Sequence, residues 1–170
     1  MRVIADASIL IHLSAIGRFY LLKELFQEIT IPEGVYTEVV IEGWGLSGSL
    51  ETSEAIKNKF ITINQAMDKE KVKEISHQYK ISISNAEVIQ LAKEMNAHIV
   101  LADEEEVREA AEIAGFKVRG CLGILMEAVK SKILSSQQVI QDVDNLVNSG
   151  YRVRSDIIRI VKNVLRRWDK

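Results

Sequence analysis

The chain has 170 residues, of which 47% are hydrophobic and 27% charged, with a formal net charge of −2. This balance fits one globular domain rather than a disordered segment, and no apolar run approaches the roughly 18–20 residues that span a bilayer. Cys121 is the sole cysteine, which excludes an intramolecular disulfide and a cysteine-rich zinc site.

Val3-Ile4-Ala5 reads as a short buried strand that ends in Asp6 and passes through Ser8 into a helix. That helix carries Ile9, Leu10, Leu13 and Ile16 on one side and breaks at Gly17, and a second helical piece covers 19–26. A strand over 28–31 follows. Pro32 suits the first turn of a helix running to about Glu42, with Gly43 as its stop. Residues 44–49, Trp-Gly-Leu-Ser-Gly-Ser, read as a mobile loop. Helix, strand and helix are expected over 50–58, 60–63 and 68–79, and another helix over 84–95. Then come a strand at 99–101, a helix at 104–114 closed by Gly115, and a strand at 116–119. From Leu122 the chain is helical, with turns near Ser135 and Gly150. This order calls for a three-layer α/β/α sandwich around a mainly parallel sheet. We expect one domain over 1–150 and a basic C-terminal helix over 151–170, packed on it or extending from it. The opening residues lack a secretory hydrophobic region with a cleavage site, so a cytoplasmic location is expected.

Two junctions share one grammar. Asp6 ends the first strand, and Asp103-Glu104 follows the apolar run from Ile99 to Ala102; each leads into a helix. Parallel sheets place ligands in the crevice beyond their strand ends, so the junctions suggest a shared carboxylate site. Carboxylate clusters hold hard divalent cations such as Mg²⁺ or Mn²⁺, and such ions can act on a phosphodiester without help from histidine. His12, His77 and His98 show no zinc-ligand spacing, although His12 lies within reach of Asp6.

Every acid also has a structural role open to it. Asp6 could cap its helix, although Ser8 can fill that place. Glu38 sits mid-helix beside core-facing valines, where an exposed glutamate is the default. Ser84-Asn-Ala-Glu87 has the form of a capping box, and Asp103 could cap the helix that follows it. Cys121 reads as a core residue. From residue 152 onward, Arg152, Arg154, Arg159, Lys162, Arg166, Arg167 and Lys170 face only Asp156 and Asp169. They form either a solvated helix face suited to its C-terminal dipole or a surface for phosphates or an acidic partner.

Several ordered pieces together resemble the PIN-domain family, in particular a compact prokaryotic subgroup described as nucleic-acid-binding. Residues 4–11, Ile-Ala-Asp-Ala-Ser-Ile-Leu-Ile, resemble its opening strand, and 16–26 its next helices. Residues 31–40 resemble the segment bearing its second acid, 85–92 the helix bearing its third, and 99–104 the strand bearing its fourth. Residues 119–125, Arg-Gly-Cys-Leu-Gly-Ile-Leu, match the subgroup's closing motif.

The resemblance implies a ribonuclease-H-like fold whose acidic pocket holds Mg²⁺ or Mn²⁺. Asp6 would be the central ligand, Asp103 or Glu104 a second, and Glu87 would complete the metal shell. Glu38 would position or deprotonate the attacking water, with Ser8 in support. The implied activity is that of an endoribonuclease similar to the toxins of toxin–antitoxin pairs. Arg18, Arg108 and Arg119 are candidate RNA contacts, and an antitoxin and a homodimeric partner are implied. The chain departs from the pattern at Asn85, where the subgroup often has an extra glutamate, and at Ala102, where many PIN nucleases have Thr or Ser. These departures also admit a catalytically weak or inactive PIN-like module for nucleic-acid binding or protein assembly. Phosphoryl transfer on Asp6 fits less well, because Asp6-Ala-Ser8 lacks the second aspartate of the phosphatases.

Overall fold

In the computed structural model, which describes residues 1–170, five parallel strands form one sheet. The strands are β1 (Val3–Ala5), β2 (Ile29–Pro32), β3 (Ile61–Asn64), β4 (Ile99–Leu101) and β5 (Lys117–Arg119), in the order β3-β2-β1-β4-β5. The first half of the sheet is surrounded by α1 (Ala7–Ala15), α2 (Leu21–Phe26), α3 (Glu33–Tyr36) and α4 (Ser49–Lys57). There follow α5 (Lys69–Tyr79), α6 (Ile83–Glu94), α7 (Glu105–Ile113), α8 (Cys121–Lys130), α9 (Ser136–Asn148) and α10 (Ser155–Trp168). The protein is the α/β/α sandwich expected, with a wholly parallel sheet.

Strands β1 and β4 show no alternation of apolar and polar residues because both of their faces lie under helices. They pair in register, Val3 with Ile99, Ile4 with Val100 and Ala5 with Leu101. That register brings Asp6 and Ala102 level at the carboxyl ends of the two strands. The chain builds β1, β2 and β3 outward on one side and then returns to lay β4 on the other side of β1. The reversal falls between β1 and β4, where open parallel sheets leave a crevice for ligands.

One cluster of 43 buried apolar residues runs from Val3 to Leu165, so α10 shares the core of the sheet through Val161 and Leu165. No helix is long and apolar enough to cross a membrane.

Three local features differ from expectation. Pro32 closes β2 and precedes α3 instead of lying in its first turn. The helix expected to run to Glu42 changes at Thr37 into a π-helical segment, Thr37–Glu42, a form concentrated at functional sites. The loop after it is fastened down. Ser49 is buried, accepts a hydrogen bond from Gly45 N–H and donates to the Leu46 carbonyl. Gly48 lies so close to α1 that a Cβ there would meet Ile11 Cα at 3.3 Å.

Candidate metal and nucleic-acid site

The β1–α1 junction holds Asp6 in extended backbone, and its Oδ1 accepts from Ile9 N–H at 3.1 Å and from the Ser8 hydroxyl at 2.6 Å. Asp6 is therefore the N-cap of α1, while Ser8, within the first turn, does something else. The Ser8 oxygen accepts from Asp103 N–H at 3.2 Å, so one hydroxyl ties the ends of β1 and β4 together. The second oxygen of Asp6, Oδ2, is buried and has no hydrogen-bond partner. Burial pushes the Asp6 carboxyl up to about 7, against the hydrogen bonds from Ser8 and Ile9, and the charges of Asp103 and Glu104 push the same way.

Asp103 does not cap α7. Its Oδ2 lies 2.8 Å from His12 Nδ1, while Oδ1 accepts from Cys121 N–H at 2.8 Å and from the Tyr151 hydroxyl at 3.3 Å. Its carboxylate thus caps α8 across the sheet edge. Burial alone would raise this carboxyl, but the bonds from His12 and from the Cys121 thiol and N–H hold it below the ordinary aspartate value. Because an ionised carboxylate can only accept, His12 Nδ1 carries the proton of their hydrogen bond. Gly120 permits this approach, since a Cβ there would stand 2.6 Å from both Asp103 Oδ1 and Arg108 Nη1. The Cys121 thiol is raised well above its usual value, first by burial and then by Asp103, which keeps it protonated.

Glu104 occupies the N-cap position of α7 without capping it; its Oε2 instead accepts from Asn85 Nδ2 at 3.0 Å. Burial, followed by the charge of Glu38, raises its carboxyl. Glu38, on the π-helical segment, accepts from Ser84 Oγ at 3.2 Å. The helix that carries Ser84 begins earlier than its capping-box pattern suggests. Ser82 is the N-cap of α6, and Glu87 reaches away from that cap to accept from Gly34 N–H at 3.0 Å.

A cleft of about 700 Å³ gathers these groups. Ser8, His12, Glu38, Asp103 and Glu104 line it, and Asp6 lies next to it through its bond to Ser8. Glu87 does not line the cleft. Arg18 also lies outside it, where it donates through Nε to the buried Asp142 of α9 at 2.8 Å. Arg108 and Arg119 line a neighbouring cavity.

The donor set suits Mg²⁺ or Mn²⁺. It consists of carboxylate oxygens, two of whose groups have their proton affinities raised first by burial and then by neighbouring acids, and one of those oxygens is buried without a partner. The group whose potential ligand atoms converge, all within 4.8 Å of one another, is His12, Asp103 and Cys121; Asp6, Glu38, Glu87 and Glu104 do not belong to it.

Two contributors were hard to find from sequence. Tyr151 reads as the start of a basic tail, yet its ring packs edge-on against His12 at 5.1 Å and its hydroxyl reaches Asp103. Gly150, with a φ of +99°, is the local signal that the chain turns there. Asn85 reads as a missing acid, and it is instead the donor that holds Glu104.

Residues 2–170 match a family model described as a PIN domain. No curated protein matches the chain. The fold is similar to that in the crystal structure of PAE2754 from Pyrobaculum aerophilum, with a TM-score of 0.53 and 12% identity, over 79% of this chain and 100% of that one.

Proposed function

Since the chain belongs to the PIN-domain family, a fold of nuclease type, we propose that it is a Mg²⁺- or Mn²⁺-dependent endoribonuclease of the toxin kind. The observation that carries this reading is the unpartnered, buried Oδ2 of Asp6 beside a cleft of carboxylates. A buried polar atom without a hydrogen bond is costly to a fold, and binding a cation would offset that cost.

Asp6, with Asp103 or Glu104, would hold the ion, and Glu87 would join them only if its side chain turned from Gly34. An ion held there would supply Lewis-acid stabilisation of the phosphodiester and a more acidic water. The chain's own residues do the rest. Ser8 fixes Asp6 and the backbone before Asp103 in one arrangement, so neither has to reorganise when substrate arrives. His12, Cys121 and Tyr151 orient the Asp103 carboxylate from three sides. Glu38 is exposed and lines the cleft, which suits it to position or deprotonate the attacking water.

RNA is the proposed substrate and the cytoplasm the proposed location. An antitoxin and a second copy of this chain are the proposed partners. The exposed Ile41, Trp44, Leu46 and Leu50 offer apolar surface for such contacts.

One observation favours a second reading, a binding module with weak or no catalysis. Asp103 has both oxygens occupied by protein donors, and Glu104 and Glu87 each have one, which competes with metal. Circular single-stranded RNA separates the two readings. With Mn²⁺ the full chain is expected to open the circle, and chelator is expected to stop it. A circle that is bound but stays closed would favour the module, and shortening of linear RNA alone would contradict internal cleavage.

A further inference from the structure

Beside the acidic cleft lies a second, larger cavity of about 970 Å³, bounded by β5, the start of α8 and the segment that joins α9 to α10. Its character is the reverse of its neighbour's. Arg108, Arg119, Arg152 and Arg154 stand along it against only two acids, Asp103 and Glu105. Between the arginines the wall is apolar, formed by Val118, Leu122 and Val153 and by Ile157 and Val161 of α10. The two cavities are continuous, because Asp103, Glu105, Tyr151 and Arg152 line both.

The arginines differ in how far they are committed. Arg108 donates to the Ala102 carbonyl at 3.3 Å, and Arg154 pairs with Asp156 at 3.2 Å in an exposed contact of the kind worth little. Arg152 and Arg119 make no ion pair and no side-chain hydrogen bond, and Arg152 is exposed at the junction of the two cavities.

We propose that this arginine-rimmed cavity is a second RNA subsite, which takes the phosphates and one unstacked base of single-stranded RNA next to the phosphodiester held at the acidic cleft. The inference rests on the nuclease reading and adds the place on this chain that holds the RNA next to the cleaved bond. Guanidinium groups pair with phosphate oxygens through two parallel N–H donors. The apolar wall decides between single and double strands. A base can lie on Val118, Leu122 and Ile157 only if it has left its stack, which bases in loops and single strands do and bases in a duplex do not. The arrangement also answers an electrostatic problem. A cleft of carboxylates repels RNA, and a cationic groove sharing its wall supplies the attraction that the net charge of −2 does not.

The test is binding of the full chain to fluorescein-labelled oligouridylates of four and twelve nucleotides and to an RNA hairpin duplex, in chelator, at several salt concentrations. Arg152→Gln/Arg154→Gln is compared with wild type and with Arg166→Gln/Arg167→Gln, whose targets lie on the exposed end of α10 outside the cavity. Both pairs are exposed, so folding is not at stake, and Arg152→Lys/Arg154→Lys keeps the charge. The groove variant is expected to bind the twelve-mer on the order of tenfold more weakly at about 0.1 M salt. Its log–log salt slope should be shallower by about 1.4, about 0.7 for each lost phosphate contact. The lysine pair should recover most of that slope, and the duplex should bind more weakly than the twelve-mer.

Equal losses in the groove and α10 variants, no loss in either, or no binding by wild type would each overturn the proposal. So would groove-dependent binding of polyglutamate without groove-dependent binding of RNA, which would assign the surface to an acidic protein. Cleavage with Mn²⁺ is scored separately on wild type. Groove-dependent binding without cleavage leaves the subsite standing and removes the catalytic reading, and cleavage with groove-independent binding does the opposite.

Discussion

At the scale of residues, Asp6 joins two roles that sequence reading sets against each other. One oxygen caps α1 and accepts from Ser8, and the other is buried without a partner. The consequence is a dependence of stability on pH. The folded carboxyl binds its proton with a pKa of about 7, against an ordinary value of 3.8. An acid whose pKa rises on folding contributes its full stability below the unfolded value. That contribution is lost as pH climbs through the window from about 4 to about 7, because the folded chain must then carry a buried charge. Asp6→Asn keeps an oxygen for Ser8 and Ile9 but carries no charge. In chelator, the asparagine variant is therefore expected to gain stability over wild type as pH rises from 5 to 8, by an amount on the order of a few kcal/mol. Calorimetric melting at the two pH values measures it, and a constant difference would mean that Asp6 is not held as described. Saturating Mn²⁺ should reverse the order at pH 8, because it stabilises only a chain that can bind it.

Elements set the positions of these side chains through close contacts that sequence patterns express poorly. The crossing of α3 and α6 depends on Gly34, where a Cβ would meet Glu87 Oε2 at 2.6 Å and Ser84 Cβ at 2.8 Å. Ser84 Cβ is fixed to its helix and cannot swing aside, so Gly34→Ala must push α3 from α6. Overpacking of this kind costs about 1–3 kcal/mol. The urea midpoint of the variant is expected to fall accordingly, and an unchanged midpoint would contradict the packing described. The same contact explains why the motif at Ser84 misleads. Ser84-Asn-Ala-Glu87 has the spacing of a capping box, but Ser82 takes the cap, which frees Glu87 for Gly34 and Asn85 for Glu104. Spacing along one helix was legible; contacts between helices were not. The π-helical segment that carries Glu38 was likewise invisible, because its residues keep an ordinary helical pattern of valines.

For the whole molecule, the order of elements was legible because β1 and β4 are short apolar runs that lead to an acid, and β2 is one that ends at Pro32. Parallel pairing follows from the helices between strands, and the crevice between β1 and β4 follows from the reversal of strand order. The acids at the ends of β1 and β4 could therefore be placed together before any geometry was known. Tyr151 and Arg152 could not. They are 48 and 49 positions beyond Asp103, past three helices and a strand, and the packing of α9 and α10 on the common core returns them to it.

Asp6 is proposed to stand at the centre of a metal-dependent nuclease. The measurement that bears on it most directly is the single-turnover rate of single-stranded RNA cleavage, taken across a Mn²⁺ titration for wild type and Asp6→Asn. The account predicts a saturable rise for wild type and a rate at least about 100-fold lower for the variant at every Mn²⁺ concentration, a loss of about 2.7 kcal/mol of transition-state stabilisation. Equal rates for the two proteins, or cleavage that ignores Mn²⁺, would contradict it.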